Sequence, residues 1–432
     1  MKTNFLMGAM YILMGCCLSG CVSSEQESAK EVIFVNRVSL DLFFGDTEQL
    51  IASPTEATFD WSSEDETVAK VSATGLVEAV GVGSTRIVVV HDDARTFIPM
   101  TVTIPLLDNV IAMGGYKRIL LNITAGERIK SVKISYTGSS QPTIVTVDQP
   151  GVFPYVIDGL EENTYTFTFV AIDRYGNESE PTGMKVKVYG DDYQASILNR
   201  NIQSAIIVNG LLTIKWADKM DNGVSCNIFY TNTNEKEVVL NVPMTDNTTV
   251  IDDWKSGLRY NTLFVPDEFA IDTFYTSYTG QTVLSKINKT NWAVTANSFE
   301  PTGQLPKGGV PEKSIDDDAT TFWHSQHTGS GSPGYPYWLA YDMQVIVPVG
   351  MVELTSRSDF LNNGAVTFIL QGSDDDETWV DHGTFTQRVI VGPQPYTPIG
   401  QLAARYIRIY MTDGPGRPHS HLAEFSVYGI VE

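Results

Sequence analysis

Cysteine is nearly missing from this chain. Of the four cysteines in 432 residues, Cys16, Cys17 and Cys21 crowd the N-terminus and only Cys226 lies beyond them. A framework of internal disulfides is therefore excluded, as is any site built on paired CxxC spacing. Cys226 sits in an apolar/polar alternation with Val224, Ile228 and Tyr230 and reads as a core filler. Basic charge is also scarce: 29 Lys+Arg stand against 51 Asp+Glu, a formal charge of −22. Such a field repels phosphate backbones and argues against a nucleic-acid partner. Nothing in the chain has the length and 3.6-residue period of a long amphipathic helix. A P-loop, a dinucleotide fingerprint and an ordered Ser/His/Asp set are all absent. A glycosidase needs two carboxylates facing across a cleft, whereas the acids here gather in turns. The expectation is a protein that is not an enzyme.

The first 20 residues stand apart. Lys2 precedes an apolar run from Phe5 to Leu18, short for a membrane span and of signal-peptide type. The run ends in Leu18-Ser19-Gly20-Cys21, and a polar stretch, Val22 to Ser28, follows. Residues 1–20 read as the signal peptide and 21–31 as a tether; the bland alternative is an ordinary signal peptide with a chance cysteine. The Leu-Ser-Gly-Cys sequence resembles a bacterial lipobox, which implies cleavage before Cys21 and lipid on its sulfur. The acidic tether is similar to the export signal of Bacteroidetes surface lipoproteins. These resemblances imply a lipid-anchored protein on the outer membrane, facing the cell exterior.

After Glu31 the apolar runs are short, rich in Val, Ile, Thr, Tyr and Phe, and bounded by Gly, Asn, Asp or Pro. That is the pattern of strands and turns, and its spacing predicts sandwiches in series. In residues 32–105, Trp61-Ser62-Ser63-Glu64-Asp65 leads to Val68 to Val71, then Gly75 to Ala79, then Gly81-Val82-Gly83. This order resembles the bacterial Ig-like group 2 domain. In residues 110–190, Tyr165 to Ala171 followed by Asp173 to Ser179 looks like a strand and turn of a fibronectin type III sandwich. Residues 195–281 repeat the theme, with Leu212 to Trp216 and Asn227 to Tyr230 as strands and Gly257 to Tyr260 as a corner. The pair is similar to a domain of unknown function in Bacteroidetes surface lipoproteins, and neither part gathers reactive side chains. The fold class expected is all-β: an Ig-like sandwich and two fibronectin type III-like sandwiches, ending in a jelly roll.

The jelly roll is read from residues 288–432. Lys313 to His324, Trp338 to Asp342, Arg357, Ser373 to Trp379, Ala404 to Ile409 and Ala423 to Gly429 follow in order. Together they resemble the coagulation-factor type C, or discoidin, domain and its bacterial carbohydrate-binding members. The acidic loop has its own logic, since calcium takes six to eight hard oxygens. Asp316, Asp318 and Thr321 offer three from one loop. The resemblance implies that the carbonyls of Lys313 and Ala423 and the carboxylate of Glu424 complete a structural Ca2+ cage. Asp317 and Asp376 depart from the family, which has Gly at both places; Asp tolerates the positive φ that Gly allows. The resemblance also implies a galactose-type glycan site at His324, Arg357 and Asn362. Trp323, Trp338 and Trp379 are core positions in the family. The missing sugar platform then falls to Tyr335, Tyr337 or Phe360. The histidines His324, His327, His419 and His421 match no trusted zinc spacing.

The function expected is a non-catalytic, surface-tethered glycan-binding lipoprotein. Its partners would be carbohydrate, outer-membrane lipid through Cys21, and a SusC/SusD-type uptake complex. The other reading is an adhesin or scaffold whose sandwich faces bind proteins.

Overall fold

The computed structural model describes residues 32–431. The signal peptide, the tether and the lipidation candidate Cys21 lie outside the described residues. Two compact units emerge, one holding the N-terminal segment and the other holding residues 186–432.

In the first unit, the strands Leu40–Phe43, Ala94–Thr103, Gly83–His91 and Asp60–Ser63 form one sheet in that order. A second sheet joins Thr47–Gln49, Leu76–Ala79 and Ala69–Val71. Alternation along these strands sends Ile87, Val89, Ile98, Met100, Val77 and Ala79 inward to one core. Gly75 turns the chain at φ +81°, where a Cβ would lie 2.7 Å from the Leu50 carbonyl, so only glycine fits. The Ig-like strands expected from Trp61 to Ala79 thus form where the turn residues place them.

Further along, Asn163–Asp173 lies in a four-stranded sheet with Ile129–Tyr136, Thr143–Thr146 and Thr182–Val188. The strand ends where Asp173 Oδ1 accepts the backbone N–H groups of Tyr175 and Asn177, an Asx turn closed by Gly176 at φ +89°. The one α-helix among the described residues is the short Asp191–Ser196.

In the second unit, Leu211–Trp216 pairs with Ile202–Val208 and Thr248–Ile251. Gly223–Asn232 pairs with Glu237–Pro243 and Trp254–Phe264. Trp216 meets Tyr260 edge to face with centroids 5.6 Å apart, and Cys226 is fully buried beside them as a free thiol. Gly257 to Tyr260 belong to the long Trp254–Phe264 strand, with Gly257 at φ +64° absorbing a bend within it.

The jelly roll carries the largest core. Trp323, Tyr337, Leu339, Tyr341, Phe368 and Phe425 are all fully buried, with Tyr341 stacked on Phe425 at 4.1 Å. Trp323 also donates its indole N–H to the Ser298 carbonyl at 3.0 Å. Trp338 and Trp379 do not join it. In Tyr337–Thr355 the residues Tyr337, Leu339 and Tyr341 point inward, so period-two alternation turns Trp338 outward. There it and Trp379 flank the Arg408 guanidinium, 6.0 and 4.0 Å from its carbon.

A strand that sequence reading left between modules joins them. Val283–Lys286 runs parallel to Ile202–Val208 and antiparallel to Glu424–Val431. The jelly roll and the sandwich before it therefore share one continuous sheet.

Candidate functional site

The loops at one end of the jelly roll bring most of the expected residues together. The acidic loop follows the short 3-10 turn Pro311–Ser314. Thr321 Oγ1 lies 2.9 and 2.8 Å from the two Asp316 carboxylate oxygens, 3.1 Å from the Asp318 carbonyl and 3.4 Å from the Lys313 carbonyl. The Asp318 carboxylate itself is taken up locally, accepting from the N–H and hydroxyl of Thr320 at 2.9 and 2.7 Å. Burial opposes ionisation of Asp316, but hydrogen bonds from Lys313 and Thr321 hold its carboxyl below the usual range.

Glu424 reaches this loop from the last strand. Its Oε2 accepts from the buried Lys289 ammonium at 2.6 Å. Its Oε1 is buried with no hydrogen-bond partner. Burial raises the Glu424 pKa, Lys289 pulls it down, and the neighbouring Asp316 and Asp317 push it up. An orphaned carboxylate oxygen beside a second carboxylate, a hydroxyl and two carbonyls is a donor set that fits a hard cation. Among the described residues no group of three or more His, Cys, Asp or Glu converges on a metal position, so such a cage relies on neutral oxygens. The Ala423 N–H donates to the Thr355 carbonyl at 2.9 Å, fixing that residue just before the strand that presents Glu424. Asp317 adopts φ +60° and Asp376 φ +63°, so aspartate does hold the positive φ at both places. The Asp317 carboxylate pairs with Lys286 and Lys289 at 3.1 and 2.8 Å.

His324 ends the strand Phe322–His324 and is 5 % exposed. Its Nδ1 lies 2.6 Å from the Ser325 carbonyl. A carbonyl only accepts, so Nδ1 carries the proton and Nε2 is left as an acceptor. Burial lowers the pKa of His324 to about 4, which keeps the ring neutral at pH 7. Around it stand His327, His419 and His421, with ring centroids at 4.8, 5.4 and 6.0 Å. His421 donates from Nε2 to the Phe360 carbonyl at 3.0 Å, and burial lowers its pKa to about 3.

Arg357 is held between two rings, its guanidinium carbon 3.8 Å from the centroid of Phe322 and 4.5 Å from that of Phe360. Nε and Nη2 chelate Asp359 at 2.6 and 3.0 Å, and Nη1 points to Gln304 Oε1 at 3.4 Å. Phe360 is 50 % exposed and supplies the free aromatic surface beside Arg357. Tyr335 does not: it packs against Gly414, where any Cβ would strike its hydroxyl, and donates to the His419 carbonyl at 3.3 Å. Tyr337 is fully buried. Asn362, in the 3-10 turn Leu361–Asn363, is exposed and lines a cleft of about 350 Å3 whose wall includes neither His324 nor Arg357.

Two residues that carry no motif organise these loops. Glu300 is fully buried and accepts from the N–H groups of Gly303, His327 and Thr328 at 2.9 Å each and from the Thr328 hydroxyl at 2.6 Å. Burial works against its charge, but these bonds hold its carboxyl well below the ordinary range. Gln304 completes the tie, its Nε2 meeting His327 Nε2 at 2.8 Å and its Oε1 facing Arg357. An isolated acid or amide between turns gives no signal in one sequence, because its role is defined only by loops that return from elsewhere.

Comparison with known proteins places three modules in order along the chain. Residues 45–98 match the bacterial Ig-like domain (group 2), residues 101–274 a domain of unknown function, and residues 284–425 the F5/8 type C domain. The chain is thus an all-β, multi-module protein ending in a F5/8 type C domain. A galactose oxidase of Gibberella zeae is 27% identical over 146 residues, 33% of this chain and 21% of that protein. A sialidase of Micromonospora viridifaciens is 28% identical over 119 residues, 27% of this chain and 18% of that protein. The chain therefore spans only about a fifth of these curated relatives. Among solved structures, the C-terminal domain of a chitobiase from Bacteroides fragilis is 28% identical, with 34% of this chain and 99% of that one covered and a TM-score of 0.32. A family 32 module from Clostridium perfringens in complex with galactose is 20% identical over 33% of this chain and 97% of that one, with a TM-score of 0.29.

Proposed function

We propose that this protein is a non-catalytic glycan-binding lipoprotein of the cell surface, and that its F5/8 type C domain captures carbohydrate. The observation that carries this reading is the loop end where the neutral His324 offers Nε2 as an acceptor and Arg357 sits beside the exposed Phe360 ring. A sugar needs an apolar face for its ring and a few fixed polar groups for its hydroxyls, and this arrangement has both. The match to the F5/8 type C domain supports it, and the partial relatives carry the names galactose oxidase and sialidase.

In the same reading a structural Ca2+ is held by Asp316, Thr321, Glu424 and the carbonyls of Lys313, Asp318 and Ala423. The ion would take the orphaned Glu424 Oε1 as a ligand and tie the acidic loop to the last strand. The lipid on Cys21 would anchor the chain to the outer membrane, facing outward, next to a SusC/SusD-type uptake complex. Tethering would raise the local glycan concentration and offset weak single-site affinity.

The test is a glycan array and affinity electrophoresis on the full chain, with calcium and after chelation. Binding is expected for at least one glycan, weakened tenfold or more by Arg357→Ala and weakened by chelator. Binding of no glycan with calcium present, or indifference to Arg357→Ala, overturns the proposal.

A further inference from the structure

The cleft beside Asn362 has a chemistry unlike the rest of the chain. It measures about 350 Å3, and its walls include Asn362, Gln387, Arg388, Val389, Pro415 and Arg417. No carboxylate lines it, although the chain as a whole carries −22. The acids that flank the cleft's lining segments in sequence, Asp359 and Asp413, are already committed. Asp413 caps the Thr367 N–H at 2.9 Å, and Asp359 is chelated by Arg357.

The two arginines differ from the other three of the module. Arg357 is clamped on Asp359, Arg405 on Asp342 at 2.8 Å through two nitrogens, and Arg408 on Gln371 and the Trp379 face. Arg388 and Arg417 are exposed, and among the described residues neither guanidinium donates a hydrogen bond or joins an ion pair. They come from separate loops, one after the strand Val380–Thr386 and one after Ala403–Asp413, and meet on one cleft. Gln387 is buried and fixed by the bond from its Nε2 to Ser356 Oγ at 2.8 Å. Val389 lines the cleft beside Pro415 and is 57 % exposed.

A planar guanidinium matches a carboxylate or a sulfate ester through two parallel N–H bonds. A neutral sugar would leave both guanidiniums to water. We infer that this cleft selects an anionic glycan, one bearing a uronate carboxylate or a sulfate ester, with the charged group held between Arg388 and Arg417 and the ring on Val389 and Pro415. The inference rests on the glycan-binding reading above and names the substrate class of that module.

Calorimetric titration of the full chain decides it, with oligosaccharides in matched pairs. Trigalacturonate is compared with its methyl ester, which keeps the backbone and removes the charge. A sulfated galactan oligosaccharide is compared with its desulfated form. The charged member of at least one pair is expected to bind tenfold or more tightly than its neutral twin, and which pair responds tells carboxylate from sulfate. In the Arg388→Gln, Arg417→Gln double variant that preference collapses to about onefold while the thermal midpoint holds. Equal affinity within both pairs overturns the inference, as does a preference that survives in the double variant. In either case an Arg357-dependent affinity for a neutral glycan leaves the reading of the module standing. Failure of every glycan, charged or neutral, overturns both.

Discussion

At the scale of single residues, the loop end around His324 depends on protonation states that burial imposes. His324 is the sharpest case, with burial lowering its pKa to about 4 from an ordinary 6.5. Between those values the unfolded chain holds a proton that the folded chain refuses. Stability from this residue is therefore complete above pH 6.5 and is lost as pH falls toward 4. Glu300 adds a second loss below that, since its carboxyl is ionised in the fold well under its ordinary range. The expected outcome is a thermal midpoint that declines from pH 6.5 downward, with His324→Gln flattening the upper part of the decline. The His324 contribution is on the order of 2 kcal/mol. An identical pH profile in wild type and His324→Gln would refute it. Sequence reading singled out His324, Arg357 and the acidic loop because motifs mark them. It could not place Glu300 or Lys289, because His327 and Thr328 reach Glu300 from a later loop and Glu424 reaches Lys289 from the last strand.

At the scale of elements, most strands were legible because alternation and turn residues speak locally. Trp61 to Ala79 and Leu212 to Trp216 form strands as the pattern predicts. What alternation could not say is which strand pairs with which. Val283–Lys286 looks like a linker in sequence, yet it covers the edge of Glu424–Val431. Val283 is 2 % exposed and packs in the core of the preceding sandwich. A fragment cut at residue 288 bares the Tyr428–Val431 end of that strand, which invites pairing with another copy. A fragment cut at residue 282 keeps that cover and the packing of Val283–Lys286 against it. The longer fragment should melt several degrees higher and stay monomeric, because each lost ladder bond removes about 1 kcal/mol and the bared apolar surface adds to that. Equal midpoints and equal sedimentation for the two fragments would show that the strand is dispensable.

At the scale of the whole molecule, charge sets two opposing ranges of force. The net −22 acts on an approaching anionic glycan from a distance, whereas Arg388 and Arg417 act only on contact. Ionic strength separates them. The screening length is about 30 Å at 0.01 M salt, about 8 Å at 0.15 M and about 3 Å at 1 M. At low salt the repulsive field reaches past the cleft and slows encounter. Near physiological salt it is confined to the surface, and the arginine pair decides capture. Higher salt weakens the pair itself. Affinity for the charged member of a matched pair should therefore pass through a maximum as salt rises. Its association rate should climb between 0.01 and 0.15 M, and its dissociation rate should climb between 0.15 and 1 M. The neutral twin should show neither change. Surface plasmon resonance at the three salt levels reads both rates. An affinity that falls steadily from the lowest salt would mean that the cleft's own field, not the −22 of the chain, governs approach.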